Sequence, residues 1–198
     1  MKFPKNIDAL IGLQPDYMGL IFYAKSPRYV AGLQAADLQN VPVKVLKAGV
    51  FVNEDMKVVS SLIDQYNLNV VQLHGKESAE VCRQLRSKAT VFKAFGVDEK
   101  FNFDELIPYT SSVDYFLFDT KTDAHGGSGK IFDWSVLNNY KLNVPFFLSG
   151  GLSMENLENV KQIKHPAFYG VDLNSRFETE PGIKDIIKLR EAFKILRN

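Results

Sequence analysis

With a single cysteine, Cys82, the sequence can form neither an intramolecular disulfide nor a cysteine-based zinc cluster. That usage fits a reducing compartment, and a cytoplasmic location is expected. An excess of charge is missing as well. The 24 lysines and arginines are balanced by 23 aspartates and glutamates, leaving a formal net charge of +1. Both signs are mixed along the chain, so no nucleic-acid partner and no anionic membrane surface is expected. Nowhere do about 18 apolar residues follow one another, and the start, with Lys2, Lys5 and Asp8, lacks the apolar run of a secretory signal. A soluble protein is predicted. His74, His125 and His165 show no metal-ligand spacing, so no metal is predicted. No Gly-x-Gly-x-x-Gly follows the first strand, and no low-complexity segment or composition shift marks a linker. What the chain does have is apolar content: 45% of 198 residues, sufficient for one well-buried core, read as a single domain over 1–198.

That content falls into short runs. Residues 17–23, 48–52, 69–73, 91–95, 115–118, 145–148 and 167–171 are apolar stretches with the look of buried strands. Between them lie stretches of helical spacing. Over 56–66, Val59, Leu62, Ile63 and Tyr66 form one apolar stripe, and helices are likewise predicted over 77–85, 134–140, 154–163 and 183–196. Ser78 and Ser153 are plausible helix starts. Ahead of the first strand, Ile7, Leu10 and Ile11 predict an opening helix over 5–13. Strict alternation of near-continuous apolar strands with helices implies an α/β protein built on a parallel sheet buried on both faces. Pattern alone leaves a doubly wound sheet and a closed barrel both open.

In either architecture ligands bind beyond the carboxyl ends of the strands, so the polar residues that follow each run carry the chemistry. Ser149-Gly-Gly-Leu152, between a strand and a predicted helix, would offer bare backbone amides to a phosphate; the plain alternative is a tight glycine turn. Asn174-Ser175, after the next strand, strengthens the phosphate reading, because barrels often hold phosphate between their last two loops. Asp119 ends a strand beside the glycine-rich loop His125-Gly-Gly-Ser-Gly129 and suits a general acid, its alternative being a loop cap. Arg28 could clamp a carboxylate with two hydrogen bonds or form a surface ion pair of little weight. His74 could be an acid, a base or a hydrogen-bonded structural residue. Cys82 shares a helix face with Val81 and Leu85 and reads as a buried, inert thiol.

These landmarks, in order, resemble phosphoribosylanthranilate isomerase over essentially the whole chain. The matching stretches begin with Pro15-Asp-Tyr-Met-Gly-Leu-Ile-Phe-Tyr23, Lys25-Ser-Pro-Arg-Tyr29, Gly49-Val-Phe-Val-Asn53 and Val71-Gln-Leu-His-Gly75. They continue with Leu117-Phe-Asp-Thr120, Gly126-Gly-Ser-Gly-Lys130, Phe132-Asp-Trp134, Ser149-Gly-Gly-Leu152, Gly170-Val-Asp172 and Glu180-Pro-Gly-Ile-Lys-Asp185. The resemblance, not the periodicity, implies a TIM (β/α)8 barrel. It further implies an Amadori rearrangement of N-(5-phosphoribosyl)anthranilate to 1-(2-carboxyphenylamino)-1-deoxyribulose 5-phosphate in tryptophan biosynthesis, without metal or organic cofactor. By the matching motifs Asp119 would be the general acid and Arg28 would hold the anthranilate carboxylate. The backbone at Gly150, Gly151, Asn174 and Ser175 would hold phosphate; Asp172 would lie near the ribose or order the site, with His74 a neighbour.

The family's base is a cysteine on its first strand, in a Lys-x-Cys-Gly-Met-like motif leading into the opening helix. Only the methionine of that motif has a counterpart, Met1, and Cys82 lies in another segment and cannot inherit the role. The expectation is therefore a barrel without its first strand, beginning at helix 1, whose turnover in this form is impaired. The alternatives are a different phosphosugar barrel isomerase and a catalytically inert phosphosugar-binding remnant. The implied partner is the small-molecule substrate, and the assembly a monomer or homodimer.

Overall fold

Each of the seven apolar runs forms a strand. A computed structural model of the chain describes residues 1–120 and 133–197. Helix α1 (Pro4–Ile11) comes first, followed by β1 (Tyr17–Ile21), β2 (Leu46–Phe51), α2 (Met56–Tyr66), β3 (Val70–Leu73), α3 (Ala79–Leu85), β4 (Thr90–Val97) and β5 (Tyr115–Thr120). Then come β6 (Phe146–Leu148), α4 (Leu157–Val160), β7 (Phe168–Val171), a hairpin of β8 (Glu178–Glu180) and β9 (Ile183–Lys184), and α5 (Ile186–Arg197). Strands β1 to β7 pair in sequence order, every pair parallel. Among the described residues the outer edges of β1 and β7 pair with no other strand.

The sheet is curled, as its aromatic contacts require. Tyr17 on β1 meets Phe147 on β6 with ring centroids 5.6 Å apart, whereas a flat sheet would hold those strands about 24 Å apart. Ala48, Val70, Phe92, Ala94, Leu117 and Phe147 form this inner core, with Tyr17 and Tyr115 packed against it. Residues that alternate with them, such as Val71, Leu73, Val91 and Phe116, join the larger core beneath the helices. Burial on both faces is why these strands read as continuous apolar runs. The result is a barrel wall of seven strands with a helix as its first element. Among the described residues no helix is long and apolar enough to cross a membrane.

The helices depart from expectation in instructive ways. Helix α2 matches its stripe residue for residue, starting where the Asp55 carboxylate accepts from Lys57 N–H and ending at Asn67, left-handed with φ 48°. Ser78 does cap α3, accepting from Val81 N–H. The predicted helix over 154–163 shrinks to the four residues of α4, and Ser153 does not start it. Its carbonyl accepts from the amides of Asn156 and Leu157 at 3.1 and 3.2 Å and its N–H donates to Asn156 Oδ1 at 2.9 Å, while Asn156 Nδ2 donates to Gly151 O at 3.0 Å, so a stapled turn leads into the short helix. The segment over 134–140 is a 3-10 helix, Trp134–Asn139. Over 183–196, Ile183 and Lys184 are claimed by the hairpin, which turns at Gly182 with φ 89°.

Candidate active site

Asp119, next to last in β5, extends toward the loop after β3. Its Oδ2 lies 3.3 Å from His74 Nε2, both side chains about a third exposed, at 32% and 31%. The other ring nitrogen, Nδ1, faces Gln72 Nε2 at 3.1 Å. An amide nitrogen can only donate, so Nδ1 accepts and the proton of a neutral His74 sits on Nε2, where it donates to the Asp119 carboxylate. Gly150, at the turn after β6, presses against this acid. Its φ is 78°, and a Cβ there would collide with Asp119 Oδ1 and the Thr120 backbone nitrogen. Only glycine lets β6 turn this close to the carboxylate.

Gly151 continues the turn with φ 65°. Among the described residues, the amides of Gly150, Gly151, Asn174 and Ser175 have no hydrogen-bond partner. They form a set of donors with room for an oxyanion. The helix terminus expected beside them is absent, because α4 begins only at Leu157. Asp172, just past β7, is half-buried, and desolvation raises its pKa; the Lys184 ammonium opposes that shift and the Asp119 carboxylate adds to it. Ser149 Oγ, 3.5 Å from Asp172 Oδ2, is at the limit of a hydrogen bond.

Arg28, in the loop after β1, is no surface ion pair. Its Nε donates to Glu178 Oε2 at 2.8 Å, with side-chain exposures of 17% and 4%. Glu178 also accepts from Gly182 N–H at 3.2 Å and faces Lys184 Nζ at 3.5 Å. With Nε engaged, the two terminal nitrogens of Arg28 remain without a partner among the described residues, an arrangement suited to receiving a carboxylate end-on. Arg28, His74, Asp119, Gly150, Gly151, Asp172, Asn174 and Ser175 all line one cavity of about 1330 Å³.

The model of the N-(5'-phosphoribosyl)anthranilate (PRA) isomerase family matches residues 2–195. The chain belongs to this family. An N-(5'-phosphoribosyl)anthranilate isomerase from Parabacteroides distasonis is 44% identical over 195 residues, covering 96% of this chain and 87% of the relative. The crystal structure of phosphoribosyl anthranilate isomerase from Thermotoga maritima superposes with a TM-score of 0.86 at 32% identity, over 100% of this chain and 95% of that one. Another PRA isomerase, crystallised with reduced 1-(o-carboxyphenylamino)-1-deoxyribulose 5-phosphate, gives a TM-score of 0.83 at 29% identity with the same coverage. With the family come the class, an isomerase of tryptophan biosynthesis, and the TIM-barrel architecture to which the seven-stranded wall conforms.

Three members of this candidate site escaped sequence reasoning. Gln72 and Lys184 lie inside stretches that carry the family resemblance, yet nothing local announces their partners. Glu178 lies between two such stretches, and its partner Arg28 is 150 residues away. Lys184 Nζ donates to Asn174 Oδ1 at 2.9 Å and to the carbonyls of Leu173 and Asn174, both at 3.2 Å, holding the loop after β7. Burial lowers its pKa, opposed by Glu178 and Asp172. Cys82 is buried in α3, and burial pushes its thiol up to about 11. The ring of His165 bonds to Tyr140 O at 3.0 Å, apart from the cavity. Among the described residues no group of three or more His, Cys, Asp or Glu side chains could hold a metal. The loop 125–129, Lys130 and Phe132 lie outside the described residues.

Proposed function

We propose that the chain catalyses the Amadori rearrangement of N-(5'-phosphoribosyl)anthranilate, with Asp119 as its general acid. The observation that carries this reading is one cavity offering three different groups: a carboxyl acid, an arginine with its terminal nitrogens unengaged, and a set of unpartnered amides. They answer the three polar parts of that substrate, namely the furanose ring oxygen, the anthranilate carboxylate and the phosphate. The relative crystallised with a reduced form of the product adds support.

Asp119 donates a proton to the furanose oxygen as the C1–O bond breaks, and the nitrogen lone pair forms the iminium. His74 Nε2–H, 3.3 Å from Oδ2, is placed to stabilise the carboxylate left behind. A base then removes the C2 proton to give the enolamine. Tautomerisation leaves a ketone at C2 and returns a proton to C1, so no atoms or electrons are gained or lost. Arg28 holds the aromatic carboxylate, and the amides of Gly150, Gly151, Asn174 and Ser175 hold phosphate. Asp172 orders the ribose end of the site. Cys82 is not the base, being buried beneath the helices with its thiol held protonated. The resemblance assigns that role to a cysteine on a strand ahead of α1. No metal or organic cofactor is required, and the enzyme works in the cytoplasm as a monomer or homodimer, without a nucleic-acid partner.

Fluorescence-monitored turnover of phosphoribosylanthranilate, by this chain and by a form extended upstream with the strand and its cysteine, tests the reading. Activity confined to the extended form is the expected result. Equal, substantial activity in both would overturn the assignment of the base, and activity in neither would overturn the function.

A further inference from the structure

A second group of buried charges lies on the helix-facing side of the sheet and has no part in the chemistry just described. Phe92 and Ala94 face the barrel interior, so strand alternation turns Lys93 the other way. Its side chain is 2% exposed and sits 3.3 Å from Glu77 Oε2, itself 4% exposed. Lys93 Nζ donates to Gly75 O at 2.8 Å, to Ala94 O at 3.1 Å and to Leu73 O at 3.2 Å. Glu77 accepts from Gly75 N–H at 3.0 Å and from Asn53 N–H at 2.7 Å. Asn53 Oδ1 in turn accepts from Lys76 N–H at 2.6 Å.

Fold stability alone is a poor reason for such a pair. Two charges must be desolvated, and apolar replacements of similar volume are often neutral or stabilising. What the pair does geometrically is more specific. Lys93 grips the carbonyl of Gly75 and Glu77 grips its amide, while the amide of His74 donates to Phe51 O at 2.8 Å. Both peptide groups flanking His74 are thus anchored, and the ring they carry meets Asp119.

We infer that the buried Lys93–Glu77 pair is a positioning element of the active site, holding the 74–77 turn so that the His74 ring meets Asp119. The inference rests on the acid role of Asp119 proposed above. The test is Lys93→Met/Glu77→Gln, which removes both charges and keeps an acceptor and a donor at position 77. It is made alone and in a His74→Ala background. In the folded variant, confirmed by circular dichroism, 15N NMR of the His74 ring should show the single Nε2–H form give way to a mixture of tautomers. For phosphoribosylanthranilate turnover by the extended form, kcat should fall on the order of 10- to 100-fold with KM little changed. The same double change should cost nothing further in the His74→Ala background.

Should the double variant fail to fold, Asn53→Gly, which suits the left-handed φ of 51° at that position, removes another anchor of the same turn and should give the same NMR change. An unchanged His74 tautomer in a folded variant would overturn the inference. So would an equal further loss of turnover in the His74→Ala background. If no form of the chain isomerises the substrate, the functional reading fails, while the NMR result still decides the positioning.

Discussion

Two buried networks of cation and carboxylate flank the cavity, and they differ in what they leave unfilled. In Lys93–Glu77 the ammonium meets three carbonyls and a carboxylate, so all its donors are engaged within the fold. In Arg28–Glu178–Lys184 the carboxylate is equally buried, yet Arg28 uses only Nε among the described residues. A closed network can only fix geometry. An open one is built for a guest, because its remaining donors gain a partner when a ligand arrives.

Asp119 is where the two meet, through His74 on one side and Asp172 on the other. Asp119→Asn should therefore give the largest effect, a loss in kcat of about 10²- to 10⁴-fold with little change in KM, measured by steady-state turnover of the extended form. The same substitution made once in each network sharpens the contrast. Glu178→Gln and Glu77→Gln should each destabilise the fold by about 3 kcal/mol in urea titrations, since each leaves buried cations short of a partner. Their kinetics should part, Glu178→Gln raising KM by releasing Arg28 and Glu77→Gln lowering kcat by loosening His74. Identical kinetic profiles would erase the distinction between open and closed.

Gly150→Ala probes the contact of the β6 turn with the acid. Strain at φ 78° should cost about 1–3 kcal/mol, and displacement of Asp119 should lower kcat on the order of 10-fold. Cys82, near the closed network, should give the smallest change. Its folded thiol is raised from 9.0 to about 11, so the fold holds a proton that the unfolded chain releases. That contribution is complete below about pH 9 and is lost as pH rises toward about 11. Cys82→Ala should leave kcat unchanged and remove that part of the alkaline fall in stability, on the order of 1 kcal/mol, read from urea midpoints at pH about 8 and about 10.5.

The strands were legible in the sequence because burial on both faces of a parallel sheet leaves a local mark, an apolar run cut off by polar residues. Helix α2 was legible for a similar reason, its stripe and both ends lying within one window. The segment after Ser149 was not. The side chain of Asn156 reaches back to Gly151 and Ser153 there, and a spacing rule does not register a stapled turn followed by only four helical residues. Ile183 and Lys184 likewise fit the stripe of α5 but were taken by a hairpin that exists only once Gly182 turns. Within the site, single residues at strand ends could be named, because position after a strand is itself a signal. Their partners could not. Gln72 behind His74 and Glu178 behind Arg28 are consequences of the folded chain, and neither residue type nor spacing distinguishes them from ordinary polar residues.

The two networks also differ in how far apart along the chain their members lie. Glu77 reaches Asn53 across 24 residues, Gly75 across 2 and Tyr109 across 32, whereas Arg28 reaches Glu178 across 150 and Asn6 reaches Lys184 across 178. A polypeptide leaving the ribosome from its amino end can therefore tie the first knot once residue 109 has emerged, but the second only after residue 184. Until then Arg28 waits without its counterion. The frame of the active site is thus available earlier in synthesis than its capacity to hold a ligand.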